Sequence, residues 1–146
     1  REDGSMNFAP SQRWGFFPAA SAGWVLSEES WFNTSKINRL KVRASAGLTG
    51  DDSVGGWQWM ESYEAGKKAY FGKSPAQNVG LTYGKVVNPD MTWEKSFSFD
   101  LGADMNFLDH WDLSFDYWYR NTYDILDTRV VSTPTTFSQK LPAENY

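Results

Sequence analysis

The stretch WEKSFSFDLGADMNF, residues 93–107, decides the fold because its side chains alternate strictly in character. The odd positions are large, apolar or long, whereas the even positions are small or polar. A period of two is the pattern of a β-strand, since successive side chains point to opposite sides of the backbone. The even side also carries carboxylates, among them Asp100 and Asp104. The fold must therefore accommodate a long strand with one apolar face and one acidic face.

The same alternation returns directly downstream, over residues 111–125. Only residues 108–110 separate the two stretches, so a three-residue hairpin loop would pair Phe107 with Trp111 and continue in register along both strands. In this register the two apolar faces coincide, as is required when one side of a sheet is removed from water. The sequence therefore predicts an antiparallel hairpin.

Two further stretches alternate upstream, at residues 14–27 and 38–49, although the first is interrupted by Phe17 and Pro18. Together with strands near 92–107 and 111–126 they predict four antiparallel strands. The two longest patterns extend well beyond the about 5 or 6 residues of a typical soluble strand. They also exceed the about 9 to 11 residues with which a tilted strand crosses hydrocarbon. The predicted fold is all-β, with antiparallel up-and-down strands that form part of a large transmembrane β-barrel.

The two faces of these strands are expected to meet different surroundings. Aromatic rings near the strand ends favour the headgroup level of a bilayer, because a ring with a polar tip suits that boundary. Repeated carboxylates are explained by a watered lumen, since in a dry core each would need a partner. We expect the following side chains to face lipid: Phe97, Phe99, Leu101, Phe107, Trp111, Leu113, Phe115 and Tyr117. We expect the following to face the lumen: Arg43, Glu94, Asp100, Asp104, Asp112, Asp116, Arg120 and Asp124.

The connections sort by length into a very short one at 108–110, a medium one at 28–36 and a long one at 50–90. Outer-membrane barrels have short periplasmic turns and long extracellular loops. Residues 1–12, 50–90 and 127–146 are therefore expected to be extracellular loops. The long loop carries Trp57, Trp59 and Tyr63, whose rings are candidates for contact with a substrate.

The composition excludes several classes of function. The net charge is −4, so the basic footprint of a nucleic-acid-binding protein is missing. The chain has no cysteine and a single histidine, His110, in the predicted tight turn. Neither a zinc site nor a Cys-His nucleophile can be built from this set. We expect no catalytic residue, no metal ligand and no cofactor, and the chain is not expected to be an enzyme.

Four segments, in this order along the chain, resemble one family of membrane proteins: RWGFFPAASAGWVLSEESWF (13–32), INRLKVRASAGLTG (37–50), VVNPDMTWEKSFSFDLGADMNF (86–107) and WDLSFDYWYRNTYDIL (111–126). They are similar to the C-terminal barrel half of SusC/RagA-like TonB-dependent outer-membrane transporters. One departure is Gly50-Asp51-Asp52, where that family commonly has Gly-Asn. The chain begins at Arg1 and ends at Tyr146, and we expect it to be a piece of a longer protein.

The resemblance implies a barrel of about 22 strands closed around an N-terminal plug, a plug that this chain does not include. It also implies residence in the outer membrane of a Gram-negative bacterium and active import of oligosaccharides or peptides, driven by TonB acting through the plug. A SusD-like surface lipoprotein would close the mouth as a lid, which makes Trp57, Trp59 and Tyr63 candidates for lid contact as well. The remaining alternative is a soluble β-sandwich module that binds carbohydrate through its aromatic face.

Overall fold

The computed structural model describes residues 1–32, 34, 36–53, 55–71, 76–128, 130–132, 134, 136–137, 139 and 141–146. Within these residues the secondary structure consists of β-strands and one 3₁₀ turn at Leu26–Glu28, which confirms the predicted all-β class. The described part of the chain contains no helix long and apolar enough to span a membrane.

The strands, in chain order, are β1 (Glu2–Gly4), β2 (Trp14–Phe16), β3 (Ala19–Val25), β4 (Ile37–Asp51), β5 (Tyr63–Phe71), β6 (Ala76–Tyr83), β7 (Glu94–Phe107), β8 (Trp111–Tyr123), β9 (Leu126–Thr128) and β10 (Ala143–Asn145). A four-stranded sheet has the order β3-β4-β7-β8. Three two-stranded ladders join β1 to β2, β5 to β6, and β9 to β10.

The chain divides into two compact units. The first unit comprises Arg1–Asp3, Phe16–Gly50 and Lys95–Tyr123, and it contains the four-stranded sheet. The second unit comprises Gly4–Gly15, Asp51–Glu94 and Asp124–Tyr146, and it is therefore built mainly from the segments predicted as loops, together with the ends of three predicted strands.

The β7–β8 hairpin has the predicted register. It runs antiparallel from Phe107↔Trp111 to Lys95↔Tyr123. Leu108 and Asp109 in the connecting turn have φ values of 54° and 59°, because a tight hairpin turn needs left-handed residues to match the strand twist. The Leu108 N–H donates to the carbonyl of Lys36 at 3.1 Å, so the turn is tied to the start of β4.

Two predicted strands are interrupted in the structure. The stretch 14–27 forms β2 and β3, which are separated at Phe17 and Pro18; Pro18 has no N–H to donate to a ladder. The stretch 111–126 stops at Tyr123, because Asp124 adopts a left-handed φ of 56°, and pairing resumes only in β9. The first break coincides with the interruption already visible in the sequence, whereas the second leaves no mark in the alternation, which runs on to Ile125.

The segment 50–90, predicted as a loop, contains the β5–β6 hairpin. Tyr63 pairs with Tyr83 and Ala65 with Leu81, but the register then shifts between Ala65 and Lys67. This bulge inserts one residue and moves the side-chain alternation from odd to even positions. A search for a strict period of two misses such a strand for this reason. β10 likewise lies within the segment predicted as the loop 127–146.

The second unit has a small apolar core. Phe8 and Met91 are fully buried, and the ring of Phe8 lies 5.3 Å from that of Trp93. The Asn145 side chain donates to the carbonyls of Thr92 at 2.9 Å and Asp124 at 2.7 Å. These contacts join segments that are distant in sequence, so the second unit is packed around its own core.

In the first unit, Phe17 is buried, and it lies against the backbone of Gly50, where an added Cβ would overlap its ring. We expect Gly50→Ala to lower the free energy of unfolding by about 1–3 kcal/mol, because overpacking forces side chains and backbone to shift. Gly66→Ala is the matched control, since a Cβ at Gly66 meets nothing within 4 Å. Thermal unfolding measures both, and equal melting temperatures for the two variants would contradict the packing of Phe17 on Gly50.

Candidate functional site

The apolar face of the four-stranded sheet is open. Within it, Phe115 is 65% exposed, Leu113 53% and Phe97 40%. Phe99 and Phe107 are half-buried, whereas Leu101, Trp111 and Tyr117 are exposed like the first three. The pairing of β7 with β8 places all eight on one side of the hairpin. Apolar side chains packed under a second sheet would have lost this exposure.

The opposite, polar face carries an ion-pair network centred on Arg43. Its Nε donates to Asp104 Oδ2 at 3.3 Å and its Nη2 donates to Asp116 Oδ1 at 2.5 Å. The Ser114 hydroxyl donates to the other oxygen of Asp104 at 2.6 Å. Three residues predicted to share this face thus form one network, with each charged side chain about two-fifths exposed. At that exposure each ion pair contributes little to the free energy of unfolding, because water screens it.

Gly102 makes the network possible. A Cβ at this position would lie 2.6 Å from Asp116 Oδ1 and 2.7 Å from both Nε and Cζ of Arg43. The Arg43 guanidinium of β4 therefore crosses over β7 at Gly102 and reaches β8, two strands away. A glycine inside a strand often marks such a close approach. In the sequence, Gly102 is visible only as a small residue among the polar even positions. The alternation does not show that Arg43 is the side chain that lies over it.

The other predicted polar-face residues have separate environments. Asp112 accepts a hydrogen bond from Asn106 Nδ2 at 2.8 Å, and Asp100 and Arg120 lie in register with Trp118 and Ser98. Glu94 and Asp124 belong to the second unit. In that unit Glu94 Oε2 accepts from the Leu126 N–H at 3.3 Å, so it holds the start of β9.

Away from the tight turn, the polar face changes from charged groups to hydroxyls. Thr49 Oγ1 donates to the Ser96 carbonyl at 3.2 Å, and the hydroxyls of Ser96 and Thr122 lie 3.1 Å apart. Ser98 Oγ donates to the carbonyl of Gly47 at 3.5 Å. Hydroxyls therefore predominate on this face away from the 108–110 turn, where Arg120 is the charged residue in register with Ser98.

The tryptophans of the second unit have unequal environments. Trp59 is half-buried, and its indole N–H donates to the Met6 carbonyl at 3.3 Å. Trp57 is exposed, has a left-handed φ of 64°, and lies 6.4 Å from Trp59 between ring centroids. Trp59 thus anchors the segment, whereas Trp57 presents its ring to the surroundings.

Tyr63 and Tyr83 form an exposed ring pair at the open end of the β5–β6 hairpin. Their centroids lie 5.2 Å apart with a 37° angle between planes. The neighbouring Tyr83 and then the carboxylate of Glu61 raise the pKa of Tyr63 above its ordinary value, because both disfavour a negative charge on its phenol. Tyr83 is the member of this pair that the sequence analysis missed, although Val79, Leu81 and Tyr83 alternate with small or polar residues along β6.

The side chains of Asp52 and His110 are engaged in structural contacts. Asp52 Oδ2 accepts from Ser5 Oγ at 2.6 Å and from Asn7 Nδ2 at 3.3 Å. His110 Nδ1 lies 2.7 Å from the Leu108 carbonyl within the turn. Among the residues described, no three His, Cys, Asp or Glu side chains are grouped as metal ligands would be.

We expect Gly102→Ala to displace the Arg43 guanidinium and the Asp116 carboxylate, and to lower the melting temperature slightly through the loss of partly exposed ion pairs, because these are the ends of flexible side chains. Gly23→Ala is the matched control, since Gly23 pairs with Arg43 but a Cβ there would meet Lys41 at an ordinary 3.6 Å. Thermal unfolding is the measurement. The effect of Gly102→Ala on the melting temperature is also measured in the Arg43→Ala background. If the effect there were as large as in the wild type, the guanidinium would not lie over Gly102.

A protein-family model described as TonB dependent receptor-like, beta-barrel, matches residues 1–145. TonB-dependent receptor P3 of Formosa agariphila is 34% identical over 131 residues, covering 88% of this chain and 13% of that protein. TonB-dependent receptor SusC of Bacteroides thetaiotaomicron is 28% identical over 149 residues, covering 97% of this chain and 14% of that protein. The chain thus spans about one-seventh of the length of these relatives.

Solved structures show the same fold. The RagAB peptide importer in its closed-closed state superposes with a TM-score of 0.77 at 20% identity, covering 99% of this chain and 15% of that chain. The open-open state gives a TM-score of 0.74 at 19% identity, covering 96% and 15%. With a two-faced antiparallel sheet and a family match along nearly its whole length, the chain belongs to the TonB-dependent receptor-like β-barrel family.

Proposed function

We propose that the chain is a wall segment of a TonB-dependent active importer in the outer membrane of a Gram-negative bacterium. The observation that carries the proposal is the exposed apolar face of the first unit, typified by Leu113, Phe115 and Tyr117. In water such a surface would drive association, whereas in a bilayer it meets acyl chains. The family membership supports the same assignment.

In this proposal the polar face lines the water-filled interior. The Arg43 network then lies in the lumen wall, where water hydrates the exposed parts of its charges. β3 and β8 are the edges of the four-stranded sheet. Because an unpaired edge is not tolerated in hydrocarbon, both edges pair with strands contributed by the rest of the barrel.

The proposed substrate is an oligosaccharide or a peptide, and the proposed partner is a SusD-like surface lipoprotein that covers the mouth. The energy input would come from TonB through a plug outside this segment. Support comes from the relatives, one named SusC and one a peptide importer. Within the second unit we assign contact with substrate or lid to Trp57 and the Tyr63–Tyr83 pair, because these rings are exposed. Trp59 supports them through its bond to Met6.

The alternative of a soluble carbohydrate-binding sandwich is disfavoured by the same apolar face. A sandwich buries the inner faces of its two sheets against each other, but Phe97 and Phe115 remain exposed on this sheet. The family match is also to a membrane barrel.

Phe115→Arg tests which face meets lipid. We expect it to cost about 2–4 kcal/mol, the penalty for arginine near the bilayer midplane, and to reduce the amount of heat-modifiable, folded protein in the outer membrane. Trp118→Arg is the control on the opposite face of the same strand, where Trp118 is 71% exposed, and it should leave assembly close to wild type. Equal tolerance of both arginines would contradict the lipid-facing assignment.

Trp57→Ala tests the proposed role of the second unit. We expect the affinity for the lipoprotein that co-purifies with the intact protein to fall about tenfold, or about 1.4 kcal/mol, because exposed tryptophans are frequent energetic centres of interfaces. Met60→Ala is the control, since Met60 is an exposed apolar residue of the same segment. An unchanged dissociation constant in a titration of the purified partners would contradict a lid contact at Trp57, and failure of any lipoprotein to co-purify would contradict the lid itself.

A further inference from the structure

An aromatic cluster occupies the connection that follows β3. The ring of Trp31 lies edge-on to that of Trp24, with centroids 6.3 Å apart at 69°, and edge-on to that of Phe32, at 6.0 Å and 75°. Trp24 is the penultimate residue of β3, and the 3₁₀ turn that follows brings the chain back to it. The connection is therefore folded onto the end of its own strand.

The cluster stands on the apolar face of the sheet. Trp24 pairs with Val42, and side chains of paired residues share a face. Arg43, one residue along, points to the polar face with Asp104, so Val42 and Trp24 point to the apolar one. These rings could simply form a small apolar core that stabilises the turn. A core would bury them, however, whereas Trp24 is 54% exposed and Trp31 is 62% exposed.

A second aromatic pair lies at the same end of the sheet. The rings of Phe107 and Trp111 stack at 6.4 Å with an angle of 15°, directly beside the 108–110 turn. That turn is bonded to the beginning of β4 through Lys36, which is the residue where the connection from β3 arrives. Both aromatic groups therefore lie at the end of the sheet that has the short connections.

The polar atoms of the cluster are arranged for a boundary between lipid and water. The Trp24 indole N–H donates to Glu29 Oε1 at 2.8 Å, so its one polar group is bonded while its ring stays uncovered. Glu28 and Ser30, on either side of Glu29, are exposed. Rings with one bonded polar edge favour the headgroup level of a bilayer, where carboxylates remain in water.

We propose that the 24–32 segment is a membrane anchor, in which Trp24, Trp31 and Phe32 insert into the boundary between headgroups and acyl chains at the short-connection side of the membrane. This inference rests on the proposed function, since it needs the apolar face to meet lipid. It adds that the connection lies in the membrane boundary instead of extending into the periplasm. Glu29 is a positioning residue that holds the Trp24 ring in place.

Spin labelling of the intact protein in phosphatidylethanolamine–phosphatidylglycerol vesicles tests the proposal. This segment has no cysteine, and cysteines elsewhere in the protein are replaced by serine. Single nitroxide labels are placed by Trp31→Cys in the cluster, Ser30→Cys beside it, Phe115→Cys on the sheet face and Trp57→Cys in the second unit. Collision rates with oxygen, which concentrates in lipid, and with a water-soluble nickel complex are then compared.

We expect the oxygen-to-nickel ratio at position 31 to exceed that at position 30 severalfold, and to lie between the high value at position 115 and the low value at position 57. A ratio at position 31 as low as at position 57, with position 115 in lipid, would overturn the anchor and leave the proposed function standing. High oxygen-to-nickel ratios at both positions 30 and 31 would also overturn it, because the whole turn would then lie in lipid and the aromatic side would not be the specifically inserted side. A low ratio at position 115 would overturn the proposed function and the anchor together.

Discussion

The period of two along β7 and β8 is the constraint on which the first unit depends. It places Phe97, Leu101 and Phe115 on one side of the hairpin and Asp104 and Asp116 on the other. A slip of one residue would exchange the faces, so the register must be held strongly. The tight turn at 108–110 sets the register at one end of the hairpin, and its bond to Lys36 ties it to β4.

The Arg43 network holds the same register from the middle of the sheet. Because Gly102 lacks a side chain, one guanidinium contacts carboxylates on two strands and links β4, β7 and β8. The ion pairs are individually weak at this exposure, but their geometry is satisfied in only one register. A glycine in a strand costs some stability, and here that loss is offset by a contact that no larger residue would permit.

The second unit shows that the segments between long strands are structured. Phe8, Met91 and Trp93 form a core, while Asn145 connects residues from two other segments. Exposed rings at Trp57 and in the Tyr63–Tyr83 pair are thereby carried on a packed support. A binding surface that is already ordered loses less conformational entropy when a partner arrives, which suits the role we propose for these rings.

The sequence by itself determined the all-β class, the β7–β8 register and the division of side chains between two faces, because these follow from a local period of two and a short loop. The comparisons confirmed the family resemblance, whereas the assignment of each face to lipid or lumen stays a prediction. Only the tertiary structure decided that the last long strand ends before Asp124, since the alternation of side chains continues to Ile125. It also revealed the β5–β6 hairpin, in which a bulge conceals the period of β5 but not that of β6. Two contacts were likewise decided by the tertiary structure: that of Arg43 with Asp116 across Gly102, and that of Trp24 with Trp31 across a turn. Both depend on which strands and turns become neighbours, and the alternation along the sequence does not contain that information.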